Sequence, residues 1–265
     1  MRMTWNAFQA VGACAAAVLT GRPTPAEVDD ADLDRVVARI VADATTAACA
    51  PKRGPGYAWW TALNSCFPNS PPTHPSRSRR TPDEIAELVE NLFAPDEPGG
   101  AWPCWCCETP TSTRWGKSLW PLAAPVSQLN TAQRGADGQA WGGVAVCRSC
   151  RIAAWAMPYA SLHNGAAVTT IEVFDDAMAM ELARLVVDHN LAVIDARAQR
   201  WPQPGVPEGV DVLVRGVECH VHAWRNDNRE PRLAVAYYSG GQEVSLSPDW
   251  CTESVPLLAQ PHAVN

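Results

Sequence analysis

The sequence has no apolar run of the roughly 20 residues a helix needs to cross a bilayer, so no membrane span is expected. It has no G-x-S-x-G nucleophile elbow and no H-E-x-x-H zinc-protease helix. The glycines at Gly142-Gly143 and Gly240-Gly241 lack the lysine, the Ser/Thr and the strand-to-helix setting of a phosphate loop. Adjacent carboxylates such as Asp175-Asp176 do not face each other on a helix, and one of them serves better as a cap. No repeat or low-complexity segment is present. Nothing in these absences offers positive support for catalysis, and the expectation is a non-enzyme. Between residues 51 and 80 there is also no aspartate or glutamate.

What is present is a large apolar fraction, 47% of 265 residues, enough for a real core. Twenty-three prolines fall between the periodic stretches and predict ordered but irregular connections. The ten cysteines in a chain of this length do not make a disulfide-rich secreted scaffold, and a reducing, cytoplasmic setting is expected. The apolar stretch from Val11 to Leu19 loosely imitates a signal peptide, but Asn6 and Gln9 before it favour a first core helix.

Four cysteines form two pairs, Cys104-x-x-Cys107 and Cys147-x-x-Cys150, separated by 39 residues. A two-residue gap lets neighbouring thiolates meet one tetrahedral ion, and two such pairs make a closed structural zinc site. Cys106 lies inside the first pair and either substitutes for a ligand or remains a free thiol beside the site. A disulfide arrangement or unconnected buried cysteines are the alternatives. Pro103-Cys104 with Cys107 also matches half of the deaminase zinc signature, but no His-x-Glu precedes it.

The net charge is −7, and its distribution is uneven. Lys52, Arg53, Arg77, Arg79 and Arg80 occupy the acid-free stretch. Arg114, Lys117, Arg134, Arg148 and Arg151 surround the cysteines against Glu108 and Asp137. Acidic residues gather elsewhere, as at Glu27, Asp29, Asp30, Asp32 and Asp34. Such local basic faces can focus on a phosphate backbone, or they are ordinary solvated surface.

Periodicity predicts helices over 4–20 and 32–48, the second with Leu33, Val36, Val37, Ile40, Val41 and Ala44 on one face and Asp30 or Asp32 as cap. From 50 to 80 the pattern reads as a long connection pinned by Trp59, Trp60 and Phe67. Thr81, Pro82 and Glu84 announce a third helix with a capping box. A short helix leaves the second cysteine pair and stops near Pro158. Ala166 to Phe174 reads as a strand, followed by a helix capped at Asp175 or Asp176 that runs to about Asn190 with His189 on a packing face, and then by the apolar strip LAVI. Residues 210–224, 233–238 and 243–246 read as antiparallel strands. The expected class is α+β: a mainly helical region over 1–100 with a basic loop at 50–80, a zinc knuckle over 101–160, and a mixed region over 161–265. His220 and His222, two apart on a strand beside Glu218 and Cys219, are more readily packed or exposed histidines than ligands.

The split knuckle, the run CRSCRIAAWAMPYAS, the strand and helix after it, and AYYSGGQEVSL at 236–246 together resemble the large subunit of type I and type IV CRISPR effector complexes. The likeness falls mostly within residues 100–250, and at 265 residues the chain is compact for that family. It implies a non-catalytic subunit that holds the end of a guide RNA beside other effector subunits and helps recognise a motif in target DNA. On that reading Lys52, Arg53, Arg77, Arg79, Arg80, Arg114, Lys117, Arg148 and Arg151 become phosphate contacts. Trp59 and Trp60 become stacking or wedging residues, and Asn69, Ser70 and Gln128 base-edge readers. The alternatives are a zinc-stabilised protein-interaction or regulatory domain without nucleic acid, and an uncharacterised zinc-dependent enzyme.

Overall fold

The Asn6 side chain accepts a hydrogen bond from the Gln9 backbone N–H and so starts the first helix, α1 (Ala7–Thr20), which ends at Gly21 in the left-handed conformation. In this computed structural model the chain is described at residues 1–116, 119–121, 133–134, 140–141, 143–164, 167–173, 176–202, 233–239 and 243–246. The expected strand over 210–224, with His220 and His222, lies outside those residues. So do Lys117, Gln128, Asp175 and the turn at Gly240-Gly241.

Helix α2 (Asp30–Cys49) is capped by Asp29, in place of the expected Asp30 or Asp32. Asp29 and Asp32 close a capping box, and Arg22 and Arg35 hold the Asp32 carboxylate, which has no solvent exposure. The Arg22 hydrogen bond is the main cause of a Asp32 pKa lowered to about 2. Helix α3 (Tyr57–Cys66) occupies part of what the sequence reads as a connection. Ala58, Trp59, Ala62, Leu63 and Cys66 make its buried stripe. Helix α4 (Pro82–Glu90) carries the Thr81–Glu84 capping box the sequence announces, and buries Ile85 and Val89.

The middle of the chain holds six two-residue strands: β1 (Trp102–Pro103), β2 (Pro110–Thr111), β3 (Arg114–Trp115), β4 (Gln133–Arg134), β5 (Ala140–Trp141) and β6 (Val144–Ala145). They pair antiparallel as β1–β2, β3–β6 and β4–β5. Helix α5 (Arg148–Ala156) follows with Cys147 at its N-cap, then a 3₁₀ turn over Met157–Ala160. Strands β7 (Leu162–Asn164) and β8 (Ala167–Val173) form a hairpin. Helix α6 (Asp176–Asp195) absorbs the LAVI strip that the sequence sets apart. Strands β9 (Leu233–Ser239) and β10 (Glu243–Leu246) complete an antiparallel four-stranded sheet in the order β10-β9-β8-β7. The fold is α+β, helical first, with the cysteine cluster in the middle and antiparallel strands last. Among the described residues no helix is long and apolar enough to cross a membrane.

One apolar cluster runs from Phe8 through α2, α3, α4 and α5 to Trp201. At its centre Trp155 is fully buried, stacked on Phe67 at 4.4 Å, with Phe93 edge-on at 5.8 Å and its indole N–H on the Leu119 carbonyl. Helix α1 crosses α5 so closely at Gly12 that a Cβ there would lie 1.7 Å from the Ala153 carbonyl oxygen. Alanine suits a helix interior better than glycine by about 1 kcal/mol. Backbone cannot yield as a side chain can, so Gly12→Ala is nevertheless expected to destabilise by roughly 1–3 kcal/mol. The urea midpoint should fall, and an unchanged or raised midpoint would show that the two helices separate freely.

Candidate metal centre

Both cysteine pairs sit on turns that local hydrogen bonds close. In the first, the Cys104 N–H donates to the Thr109 carbonyl, and the Glu108 N–H to that of Cys104, each at 2.8 Å. Glu108 takes a positive φ of 66° to complete the turn. In the second, Cys147 caps α5 and Cys150 lies in its first turn. Thiolates there face the positive end of the helix. The Trp105 N–H donates to the Ala145 carbonyl at 2.8 Å and the Val146 N–H to that of Thr113 at 3.0 Å, locking the turns together.

The result brings the sulfurs of Cys104, Cys107, Cys147 and Cys150 within 4.8 Å of one another. Four sulfurs bound at ~2.3 Å to one tetrahedral ion stand about 3.8 Å apart, so this spacing fits a single ion. The Cys107 and Cys147 sulfurs are 3.4 Å apart, and all the described cysteines are free thiols, so the knuckle contains no disulfide among them. Cys106 is buried beside the four but outside the converging set. Cys107 and Cys150 border a groove with Leu33, Thr109, Ser149 and Met180, and Cys107 alone of the four is not fully buried.

Five thiols this close cannot all ionise alone. The neighbouring thiol of Cys106, followed by those of Cys107, Cys147 and Cys150, favours the Cys104 thiolate and holds that group well below the usual thiol range. The Cys104 contact is in turn the main cause that pushes Cys106, Cys147 and Cys150 up. It opposes ionisation of Cys107 too, but hydrogen bonds from Cys147 and Cys150 outweigh it and lower that thiol to about 6. A divalent cation replaces these shared protons and lets all four ligands ionise, so metal uptake releases protons.

A polar frame that sequence reading missed holds the knuckle to the helices. Asp96 accepts from the Thr111 and Thr113 hydroxyls and the Arg148 N–H, each at 2.8 Å, and from Arg151 at 3.0 Å. Arg151 is 1% exposed and also donates to the Leu92 and Ala94 carbonyls. Arg148 is engaged on the Phe93 carbonyl and on Asp34. Burial lowers the Arg151 pKa, but a guanidinium is so strong a base that it keeps its proton, and the pair with Asp96 is ionic. Hydrogen bonds from Thr113 and Thr111, then the Arg148 N–H and the Arg151 charge, overcome desolvation, the largest single influence, and lower Asp96.

These contacts correct part of the expected nucleic-acid set. Arg151 is buried in structural bonds and out of reach of a phosphate, and Arg148 spends two of its three side-chain nitrogens on the Phe93 carbonyl and Asp34. Trp59 is buried against Tyr159, His163 and Trp201, and Ser70 is buried in bonds to Phe67 and Thr73. Arg114 lies over the Trp102 ring and donates to the Gly143 carbonyl. Arg77 lies 4.7 Å over Trp60 and donates to the Ala48 carbonyl, and Trp60 is also stacked with Tyr57. Lys52, Arg53 and Arg79 are exposed, Arg80 is half-buried, and none makes an ion pair among the described residues. His189 is half-buried on α6. No protein-family model, curated protein or solved structure matches the chain.

Proposed function

We propose that this chain is a zinc-stabilised, non-catalytic interaction domain, in which the metal fixes a docking platform. The observation that carries the reading is the convergence of four sulfurs from two separate turns onto one tetrahedral volume. Thiolates select zinc among the common hard and borderline cations, and four protein ligands leave no position for a reacting water. Asp96 and Arg151 tie that volume to the helices, so order at the metal is transmitted to the rest of the fold.

Native mass spectrometry with elemental analysis tests the reading. One zinc per chain is expected in the wild type and in Cys106→Ala. Replacing any of Cys104, Cys107, Cys147 or Cys150 with alanine should lower the zinc content well below one. Wild-type protein that folds fully without metal would sink the proposal, and loss of zinc in Cys106→Ala would redraw the ligand set. A subunit of an RNA-guided CRISPR complex is the narrower form of this reading and rests on the sequence resemblance. Its test is recovery of short RNAs with a common repeat-derived end when the protein is captured from its host.

A further inference from the structure

Helix α2 is apolar on two sides. Leu33, Val36, Ile40, Ala44 and Ala47 are buried and form the stripe that any helix at the surface of a fold turns to its core. About a third of a turn away, at 3.6 residues per turn, Ala38, Val41, Ala42 and Thr45 make a second stripe. Ala38 and Ala42 are exposed, and Val41 and Thr45 are half-buried. This second stripe is one wall of a groove of about 840 Å³. Ala86 and Glu90 of α4, with Phe93, Ala94 and Pro95 after it, make the other wall. On α2 the wall runs from Asp34 to Thr46, about 18 Å at 1.5 Å per residue and a little over three helical turns. Alanine at 38, 42, 86 and 94 leaves room between the walls for large side chains from outside.

The charge along the groove has one sign. Helix α4 carries Asp83, Glu84, Glu87 and Glu90, and no lysine or arginine occurs from 81 to 113. Asp83, Glu87 and Glu90 follow one another at helical spacing along the exposed side of α4. None of the three makes an ion pair among the described residues. Among those residues Arg148 is the one cation lining the groove, and Asp34 neutralises it at 2.6 Å.

These features select the occupant. A phosphate backbone or an acidic peptide meets like charge along the α4 lip. An extended strand finds no edge to pair with, because α2 and α4 spend their main-chain groups on their own helical bonds. A helix with one apolar face and one basic face suits both the floor and the lip. No described α-helix of a second copy qualifies, since the cations on those helices, Arg35, Arg39, Arg148, Arg151 and Arg184, are all paired with acids. We propose that the groove between α2 and α4 docks a basic amphipathic helix of about three turns from a partner protein. This names the partner of the interaction domain and rests on that reading.

The test uses the full zinc-loaded chain and a fluorescein-labelled peptide of about 15 residues, leucine and lysine only, with the leucines on one helical face. Fluorescence anisotropy reads the binding. Ala42→Lys, which fills the groove and repels the peptide, should weaken binding about tenfold or more, and Glu90→Lys about fivefold. Asp188→Lys makes the same charge change as Glu90→Lys at an exposed position on α6, outside the groove, and should stay within about twofold of wild type. A peptide of the same composition in scrambled order, and one with glutamate in place of lysine, should each bind about tenfold more weakly or worse. Amide chemical-shift mapping on the wild type needs no variant to fold, and should place the peptide against residues 38–46 and 86–95. The groove assignment is overturned by failure of the wild type to bind, by equal binding of either control peptide, by an equal loss in Asp188→Lys, or by shifts centred elsewhere. Zinc content and melting temperature are measured on the same samples. Folded, zinc-loaded protein that ignores the peptide overturns the groove and leaves the interaction-domain reading standing. Folded protein without zinc overturns that reading, while the binding data still decide the groove.

Discussion

Cys147→Ala combined with Cys150→Ala is expected to abolish the ordered middle of the chain. Structural zinc contributes about 10–16 kcal/mol in small zinc domains near neutral pH, as much as the whole stability of an ordinary domain at about 5–15 kcal/mol. The disruption should reach well beyond the ligands. Cys147 caps α5, and α5 carries Trp155 and Arg151, the centre of the apolar cluster and of the polar frame. A ready readout exists in Trp105, Trp115 and Trp120, whose rings meet edge to face at about 6 Å around the knuckle, Trp105–Trp120 at 6.0 Å and Trp115–Trp120 at 5.9 Å. Loss of near-ultraviolet circular dichroism and a red shift of tryptophan emission are expected in the variant. The same changes should follow chelation of the wild type, and added zinc should reverse them only in the wild type. Retention of native near-ultraviolet signal in the double variant would show that packing alone holds the knuckle.

The second large effect belongs to Asp96. Asp96→Ala removes the carboxylate partner of a nearly fully buried Arg151, leaves the Thr113 hydroxyl and the Arg148 N–H without their acceptor, and leaves the Thr111 hydroxyl only its longer bond to the Val146 carbonyl. Breaking one side of a buried pair costs about 3–5 kcal/mol, because the remaining charge stays desolvated and uncompensated. Equilibrium urea denaturation of zinc-loaded protein should show that loss. A loss of under about 1 kcal/mol would mean that the Leu92 and Ala94 carbonyls suffice for Arg151. The pH dependence has a definite sign. The Asp96 pKa is lower in the folded protein than the unperturbed value of about 3.9, so the unfolded state binds its proton more readily. The stabilisation is therefore complete above that unfolded value and disappears as pH falls through the lower folded one. The stability difference between wild type and Asp96→Asn should narrow across that acidic window, a comparison that cancels the acid sensitivity of the cysteine site.

What the sequence reveals depends on how far apart the causes lie. Thr81, Pro82 and Glu84 lie within one turn of one another, and α4 starts where they place it. The two cysteine pairs are legible for a chemical reason, since a chelating turn requires its own spacing whatever surrounds it. Helix α3 is obscured because its signal is carried by Tyr57, Trp59, Trp60, Thr61 and Asn64, residues of modest helix propensity set between glycine and proline. Burial of Trp59 against Tyr159 and Trp201 supplies what local preference lacks. Asp96 gives no local sign, because its partners are 15 to 55 residues away. Arg148 and Arg151 read as surface charge until the carbonyls at the end of the α4 segment are seen facing them. Charge counting along a chain identifies cations, but only packing separates those that hold the fold together from those left facing solvent.

The contact at Gly12 also has a consequence for how the protein is made. Its partner Ala153 emerges roughly 140 residues later. At about 5–20 residues per second, α1 leaves the ribosome some 7–28 s before α5 exists to receive it. During that interval Phe8, Val11, Ala13, Ala15, Ala16 and Ala17, all buried in the finished fold, lack the α5 surface that helps to cover them. A nascent chain halted before α5 should therefore recruit apolar-binding chaperones at its N-terminal helix and release them once synthesis passes residue 160.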